Sequence, residues 1–206
     1  MGKLVVYYGT MNSGKSIDLI KTSHNYEENG FNVLVMKPAI DTKAGGAIET
    51  RIGIRRNVDI LIGRNDSIID LLQGKLDGIK CIFIDEAQFL NSSQVEELYK
   101  ISKCDENISI ICYLIRLNFK GELFEGSKEF FARNDKLIEL KTICSCGNIA
   151  RFVGRKINGE FVGQGEEVVI DGEFDNVEYI PLCAEHFYEL VKKENLSLVR
   201  RKIYGK

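Results

Sequence analysis

The sequence predicts an α/β fold, a mainly parallel sheet flanked by helices, with a small metal-stapled appendage. Three observations carry that expectation. Apolar runs of strand length recur at 4–8, 33–36, 58–62, 81–84 and 108–115, separated by segments of helical character. Such alternation is the pattern of strands that bury both faces under crossover helices. Directly after the first run comes a glycine-rich turn, Gly9 to Ser16, in the pattern G-x-x-x-x-G-K-S. Beyond about Lys141 the pattern changes to short strand-like pieces that carry cysteine and histidine.

In chain order, the run "LVVYY" reads as the first strand and "IDLIKTSHNYEENG" as a helix that stops at Gly30, since glycine readily takes the left-handed conformation of a helix end. Residues 41–57 lose periodicity and gather Gly45, Gly46, Arg51, Arg55 and Arg56, which predicts a mobile basic loop. Helices are expected over 67–73 and 92–103. In the second, Ser93 and Glu96 have the spacing of a capping box. In the last third, Asn158-Gly159 predicts a two-residue hairpin turn. The domain division expected is 1–141, 142–189 and a basic tail at 190–206, with the second region too small for a large core of its own.

Composition narrows the function. The 206 residues exceed the roughly 100–200 of a typical domain, enough for one core and an appendage. Hydrophobic residues make up 44%, and the formal net charge of −2 gives no general attraction to nucleic acid or anionic membrane. No leader is read before the first strand and no apolar stretch reaches the length of a membrane span, so the expectation is a cytoplasmic chain with neither nucleic acid nor membrane as partner. Of six cysteines, Cys81 and Cys112 lie in apolar strands and read as small buried hydrophobes, and Cys104 is uninformative.

The glycine-rich turn carries the chemistry. Gly9 and Gly14 let the chain bend so that the amides of Thr10, Met11, Asn12 and Ser13 face inward, Lys15 adds a full charge for terminal phosphates, and Ser16 offers a hydroxyl to Mg²⁺. Downstream, "CIFIDEAQF" is an apolar strand ending in Asp85 and Glu86. In phosphate-loop enzymes an aspartate there supports the metal, and an adjacent glutamate can accept a proton from whatever attacks the γ-phosphate. Together they specify a P-loop NTPase core and leave the acceptor open. Phe119 and Phe124, after the last strand, suit either an aromatic slot for a flat base or the core. Cys144, Cys146, Cys183 and His186 give C-x-C and C-x-x-H, a set suited to closed, structural tetrahedral zinc. His24 reads as a packing or surface residue.

"GTMNSGKS", "FIDEAQF", "FKGELFEGS", "KLIELKTICSCG" and "CAEH", in this order from about Lys3 to His186, resemble the type II thymidine kinases, the cytosolic family with a zinc-bearing lasso domain, and their bacterial branch in particular. The resemblance implies ATP-dependent phosphorylation of the 5′-hydroxyl of thymidine, with deoxyuridine as a second substrate, in nucleotide salvage for DNA synthesis. It assigns Gly9 to Ser16 and Asp85, Glu86, Ala87 and Gln88 to ATP, Glu86 to the general base, and Ser16 and Asp85 to magnesium. For the nucleoside it implies Phe119 against the thymine ring, Met11, Ile115 and Phe124 lining the same pocket, backbone hydrogen bonds from around Val169, and Tyr179. It also implies a homotetramer inhibited by dTTP. Arg51 and Lys43, in the basic loop, are candidates to approach the transferred phosphoryl group. Leu114 and Leu117 stand where bacterial relatives tend to have glycine and threonine, which predicts either a narrower pocket or an altered grip on the nucleoside; Asp171 replaces a second glycine in the lasso. Two other classes fit the loop and acidic pair alone: a motor or switch in which Glu86 activates water, disfavoured by the near-neutral charge, and an idle nucleotide-binding module, disfavoured by the intact base.

Overall fold

The computed structural model describes residues 2–39, 46–166 and 176–205. They form two compact units. The first comprises residues 1–8, 14–116 and 124–140, and the second residues 9–13, 117–123 and 141–206.

The first unit is built on a six-stranded sheet. Its elements in chain order are β1 (Leu4–Gly9, its last residue in the second unit), α1 (Lys15–Glu28), β2 (Asn32–Pro38), β3 (Ala47–Glu49), β4 (Arg55–Asn57), β5 (Ile60–Ile62), α2 (Ile68–Leu72), β6 (Ile79–Ile84), α3 (Ser92–Cys104), β7 (Ser109–Ile115), α4 (Glu125–Ala132) and β8 (Lys136–Glu139). The strand order is β5-β2-β6-β7-β1-β8, and β2 runs parallel to β5 and β6, β6 to β7, and β1 to β8. Alternate residues of one strand serve opposite layers, as the two-residue period of a strand requires. Ile82 and Ile84 of β6 join Leu98, Val95 and Phe130 on one face, while Cys81 and Phe83 join Leu19, Val35 and Tyr113 on the other. All five apolar runs of the sequence are strands of this sheet, and β8 is a sixth that its short, half-exposed "KLIE" did not announce.

Three local expectations change. The first turn of α3 is closed by Asn91 and Gln94: the Asn91 side chain accepts the Gln94 amide at 3.0 Å, and the Gln94 side chain accepts the Asn91 amide at 3.1 Å. Ser93 instead donates its hydroxyl to Asn91. The Gln94 pair wins because its amide also donates to the carbonyls of Gly63 and Asp66, fixing the loop after β5, which a surface Glu96 has no means to do. The second change concerns the basic loop, whose described part, 46–57, is largely the antiparallel hairpin β3–β4, with Arg56 held in a two-pronged pair by Glu27 of α1. Third, Leu114 is fully buried in the core rather than set in a pocket wall. Cys81 and Cys112 are buried as expected, and His24 lies exposed beside Glu28.

The second unit contains β9 (Thr142–Ile143), β10 (Ile149–Ala150), β11 (Phe152–Ile157), β12 (Glu160–Val162) and β13 (Val177–Leu182). A short helix α5 (Ala184–His186) continues into a π-helical turn over Phe187–Val191, and α6 (Leu196–Tyr204) follows. Asn158 and Gly159, both at positive φ, make the β11–β12 turn expected from the sequence. β11 also pairs antiparallel with β13, with Arg155 opposite Tyr179. Phe152 stacks on Phe187 at 4.4 Å between ring centroids, and Leu182 and Val191 close a small core around them. The segment 117–123 is a tight turn in which the Asn118 side chain accepts the amides of Lys120 and Glu122, and Gly121, at φ 83°, lies where a Cβ would strike the Phe187 ring. α6 presents Leu198, Val199, Ile203 and Tyr204 to solvent. No helix among the described residues is long and apolar enough to cross a membrane.

Candidate active site

The glycine-rich turn leaves β1 through a compact loop. Ser13 donates its hydroxyl to the Thr10 carbonyl at 2.9 Å, Asn12 sits at φ 64°, and Gly14 enters α1 in the left-handed conformation at φ 81°. Both positive φ values make the chain reverse within a few residues, a bend that glycine makes without steric cost. Lys15 is the first residue of α1 and only 7% exposed. Burial pulls its ammonium below its ordinary pKa, against the raising influence of Glu86 and Asp85.

Asp85 and Glu86 follow the last residue of β6. Asp85 is 3% exposed; the Ser16 hydroxyl donates to its Oδ2 at 3.0 Å, while Oδ1 is buried without a hydrogen-bond partner. Burial, then the charge of Glu86, pushes its carboxyl up to about 7, although Ser16 and Lys15 act the other way. Glu86 holds a left-handed backbone at φ 50°, rare for a residue with a Cβ, which turns its side chain away from the line of the strand. Its Oε2 accepts a short hydrogen bond from the Gln88 amide, and the Gln88 oxygen accepts the Ile115 amide at 3.0 Å. Because the backbone N–H can meet only an acceptor, the Gln88 side chain is fixed with its NH₂ toward Glu86. One edge of the first unit thus carries a buried lysine, a hydroxyl, an orphaned carboxylate oxygen and a second, tethered carboxylate. Such a set can bind a cation and polyphosphate and receive a proton.

In the second unit Cys144, Cys146, Cys183 and His186 bring four donor atoms within 4.8 Å of one another. Cys144 Sγ lies 3.1 Å from His186 Nδ1, and Cys146 Sγ lies 3.7 Å from Cys183 Sγ. Bonds of about 2.3 Å at the tetrahedral angle put two sulfurs about 3.8 Å apart, so the donors fit zinc. The knuckle between β9 and β10 shapes this set: Gly147, at φ 83°, donates to the Cys144 carbonyl, and Cys144 donates its amide to Asn148. Burial raises the Cys144 thiol, but the amides of Cys183 and Cys146 and the His186 ring outweigh it and bring it down to about 6. The hydrogen bond to Cys144 raises His186. This is the polarity of a thiolate ready for a cation.

Residues 2–187 match the family model described as thymidine kinase. The chain belongs to the thymidine kinase family. Curated relatives agree along nearly their whole length. The "Thymidine kinase" of Shewanella oneidensis is 40% identical over 196 residues, covering 93% of this chain and 99% of its own. That of Enterobacteria phage T4 is 41% identical over 197 residues, covering 94% and 99%, and that of Lactococcus lactis 41% over 192 residues, covering 92% and 98%. A solved structure of a Thermotoga maritima RuvB variant shares 17% identity over 70% of this chain and 40% of its own, at a TM-score of 0.39. Membership of the thymidine kinase family makes the protein a kinase.

Against this family background, the described residues place the remaining candidates as follows. In the second unit Phe119 is 1% exposed, in the turn 117–123, and Tyr179 lies on β13. Met11 lies in the glycine-rich turn, half-buried. In the first unit Ile115 ends β7, and Phe124, 7% exposed, precedes α4 and meets Phe89 edge to face at 5.7 Å. Arg51 is exposed at the turn of the β3–β4 hairpin. Lys43, Val169 and Asp171 lie outside the described residues. Sequence reasoning missed one residue, Arg155, a fully buried cation within the second unit. Its signal was an arginine breaking the inward alternation Val153, Arg155, Ile157 of a strand.

Proposed function

We propose that the protein transfers the γ-phosphoryl group of ATP to the 5′-hydroxyl of thymidine, giving dTMP and ADP, with deoxyuridine as a second substrate. The observation that carries this reading is the tethered carboxylate of Glu86 beside the buried Asp85, on the same unit as Lys15 and Ser16, in a chain of the thymidine kinase family. The 5′-oxygen attacks the γ-phosphorus as the bond to the β,γ-bridging oxygen breaks. The hydroxyl proton passes to Glu86, and ADP departs with the bridging oxygen.

The residues divide the work by environment. The amides of Thr10 to Ser13 and the start of α1 hold phosphate oxygens, and Lys15 balances charge that grows on the leaving group. Gln88 keeps the Glu86 carboxylate in one orientation, so little reorganisation is needed when the proton moves. Mg²⁺ fits Ser16 and Asp85, whose buried Oδ1 accepts no hydrogen bond and could ligate the ion once the carboxyl gives up its proton. Bound there, the ion would neutralise phosphate charge. Phe119, Tyr179 and the main chain near Val169 are assigned to the base, Met11, Ile115 and Phe124 to its surroundings, Ala87 to the nucleotide, and Arg51 and Lys43 to the transferred group. Zinc held by Cys144, Cys146, Cys183 and His186 is structural, since protein fills all four positions. Residues 1–141 then act as the catalytic domain and 142–189 as the zinc-bearing lasso, with the tail at 190–206. A cytoplasmic homotetramer, inhibited by dTTP and serving nucleotide salvage, completes the reading.

The test is ADP release with and without nucleosides, with the product separated by chromatography. Thymidine should raise turnover strongly and yield the 5′-monophosphate. Turnover stimulated by DNA or RNA and indifferent to nucleosides would reject the reading, as would no turnover at all.

A further inference from the structure

Arg155 is the largest fully buried side chain of the described residues, 2% exposed. Its hydrogen bonds among those residues go to neutral carbonyls: Nη1 donates to Glu166 at 2.8 Å and Nη2 to Gln164 at 3.1 Å, while Nε is buried without a partner. The guanidinium carbon lies 3.6 Å from the centroid of the Phe119 ring, over its face. Across the β11–β13 pair its Cα partner is Tyr179, and directly paired residues project to the same face of a sheet. One side chain therefore touches the Phe119 turn, ties down the chain at 164–166, and stands beside Tyr179.

Stability alone does not account for this choice. A buried cation held by carbonyls is expensive, and an apolar side chain of similar volume usually serves a core as well or better. What a guanidinium adds is geometry: a plane that stacks on an aromatic face while presenting two parallel N–H groups at its rim, which the point charge of lysine cannot reproduce. The chain is shaped to receive it. Gly165 stands at φ +122°, and a Cβ there would lie 2.4 Å from Nη2 of Arg155.

We propose that Arg155 is a positioning residue for nucleoside recognition, a strut that sets the Phe119 ring and the exit of the chain at Glu166 as one body. The inference rests on the proposed function, in which Phe119, Tyr179 and the segment just after Glu166 receive the base. Arg155 acts through those groups and need not touch the nucleoside.

The experiment compares the wild-type chain with Arg155→Lys, Arg155→Met and Gly165→Ala. All three should raise KM for thymidine about tenfold or more, the scale on which a misplaced contact costs binding and rate, with KM for ATP within about twofold of wild type. Zinc content and far-UV circular dichroism should be retained. An unchanged KM for thymidine in folded Arg155→Met, or equal rises in both KM values, would overturn the strut. Should Arg155→Met not fold, Gly165→Ala decides by the same criteria, since it keeps the arginine while crowding its tip and straining the chain at 165 that the tip holds. A second arm needs no activity: cleavage by a glutamate-specific protease after Glu166 should be faster in the variants, and equal rates would again overturn the proposal. A wild-type chain that phosphorylates no nucleoside sinks the proposed function alone, and the cleavage arm still judges the strut.

Discussion

Asp85→Asn should make the protein more stable while abolishing its chemistry. The Asp85 carboxyl is raised from 3.8 to about 7 by burial and by Glu86, so the folded chain disfavours its ionised form. For an acid raised in this way, the stabilising contribution is fully present below the unfolded value and is lost as pH rises through the folded value. Roughly three pH units at about 1.4 kcal/mol each set a ceiling of about 4 kcal/mol above pH 7. Asparagine keeps the shape and can still accept the Ser16 hydroxyl, so the variant recovers about 2 to 4 kcal/mol of that cost at pH 8. For a chain of this size, each kcal/mol moves Tm by about 2–4 °C, so the expected gain lies between about 4 and 16 °C. The assay is thermal unfolding of both chains in magnesium-free buffer at pH 4.5, 6, 7 and 8. The gap should be small at pH 4.5, widen up to about pH 7, and level off above it. Protonation of the zinc ligands affects both chains alike and drops out of the difference. A gap of the same size at every pH, or no gain at pH 8, would refute the reasoning.

Other outcomes follow from single groups. Glu86→Gln should lower kcat by about 10²–10⁴ while leaving ATP affinity nearly intact, checked by single-turnover kinetics and ATP titration; equal losses in both would reject the base. Metal analysis should find about one zinc per chain, and Cys183→Ser should lose it and unfold the second unit, detected by new proteolytic sites beyond Lys141, because four ligands act as one closed set. Burial acts against the Asp135 carboxylate, but Lys103 and the Leu4 amide hold it below its ordinary value. A depressed carboxylate gives stability that is present above the unfolded value and lost as pH falls through the folded one, so Asp135→Asn should lower Tm at pH 7 and converge with wild type near pH 3.

What the sequence disclosed followed from burial. Strands buried on both faces leave uninterrupted apolar runs, so the central strands β6 and β7 were legible, while β1, β2 and the edge strand β5 showed through runs that are apolar though only partly buried, and the Asn158-Gly159 turn showed because positive φ selects the residues. The β3–β4 hairpin was not, because its outer strand is "RRN" and its order derives from a tertiary pair, Arg56 with Glu27 of α1, that no local pattern records. The capping box was misplaced by two residues for a related reason. Two acceptable boxes overlap in "NSSQVE", and the choice falls to Gln94 through contacts with a loop some 30 positions upstream. Arg155 escaped because a charged residue in a strand ordinarily marks the solvated face, and only the Phe119 ring and the carbonyls of 164 and 166, remote in sequence or lacking side-chain chemistry, give it a buried place.

The acidic pair shows how neighbouring residues of the same chemistry acquire different work. Asp85 follows the last residue of β6 and is buried there, one oxygen accepting from the Ser16 hydroxyl and the other left without a donor. An acid so placed holds its proton up to neutral pH unless a cation displaces it, and the cation then repays the burial of the charge directly. At Glu86 the backbone turns left-handed, an arrangement that costs on the order of 1–3 kcal/mol and persists only where the surroundings enforce it. The enforcement comes from Gln88, clamped by the Ile115 amide at the end of β7 and donating to the glutamate from the other end. The strain thus directs one carboxylate out of the strand line and holds it still, while its neighbour stays buried at the strand's end. A sequence of two acids in a row cannot say which is the base. The left-handed turn between strand end and Gln88, which tethers Glu86 and not Asp85, is the local feature on which the proposal of Glu86 as the base rests.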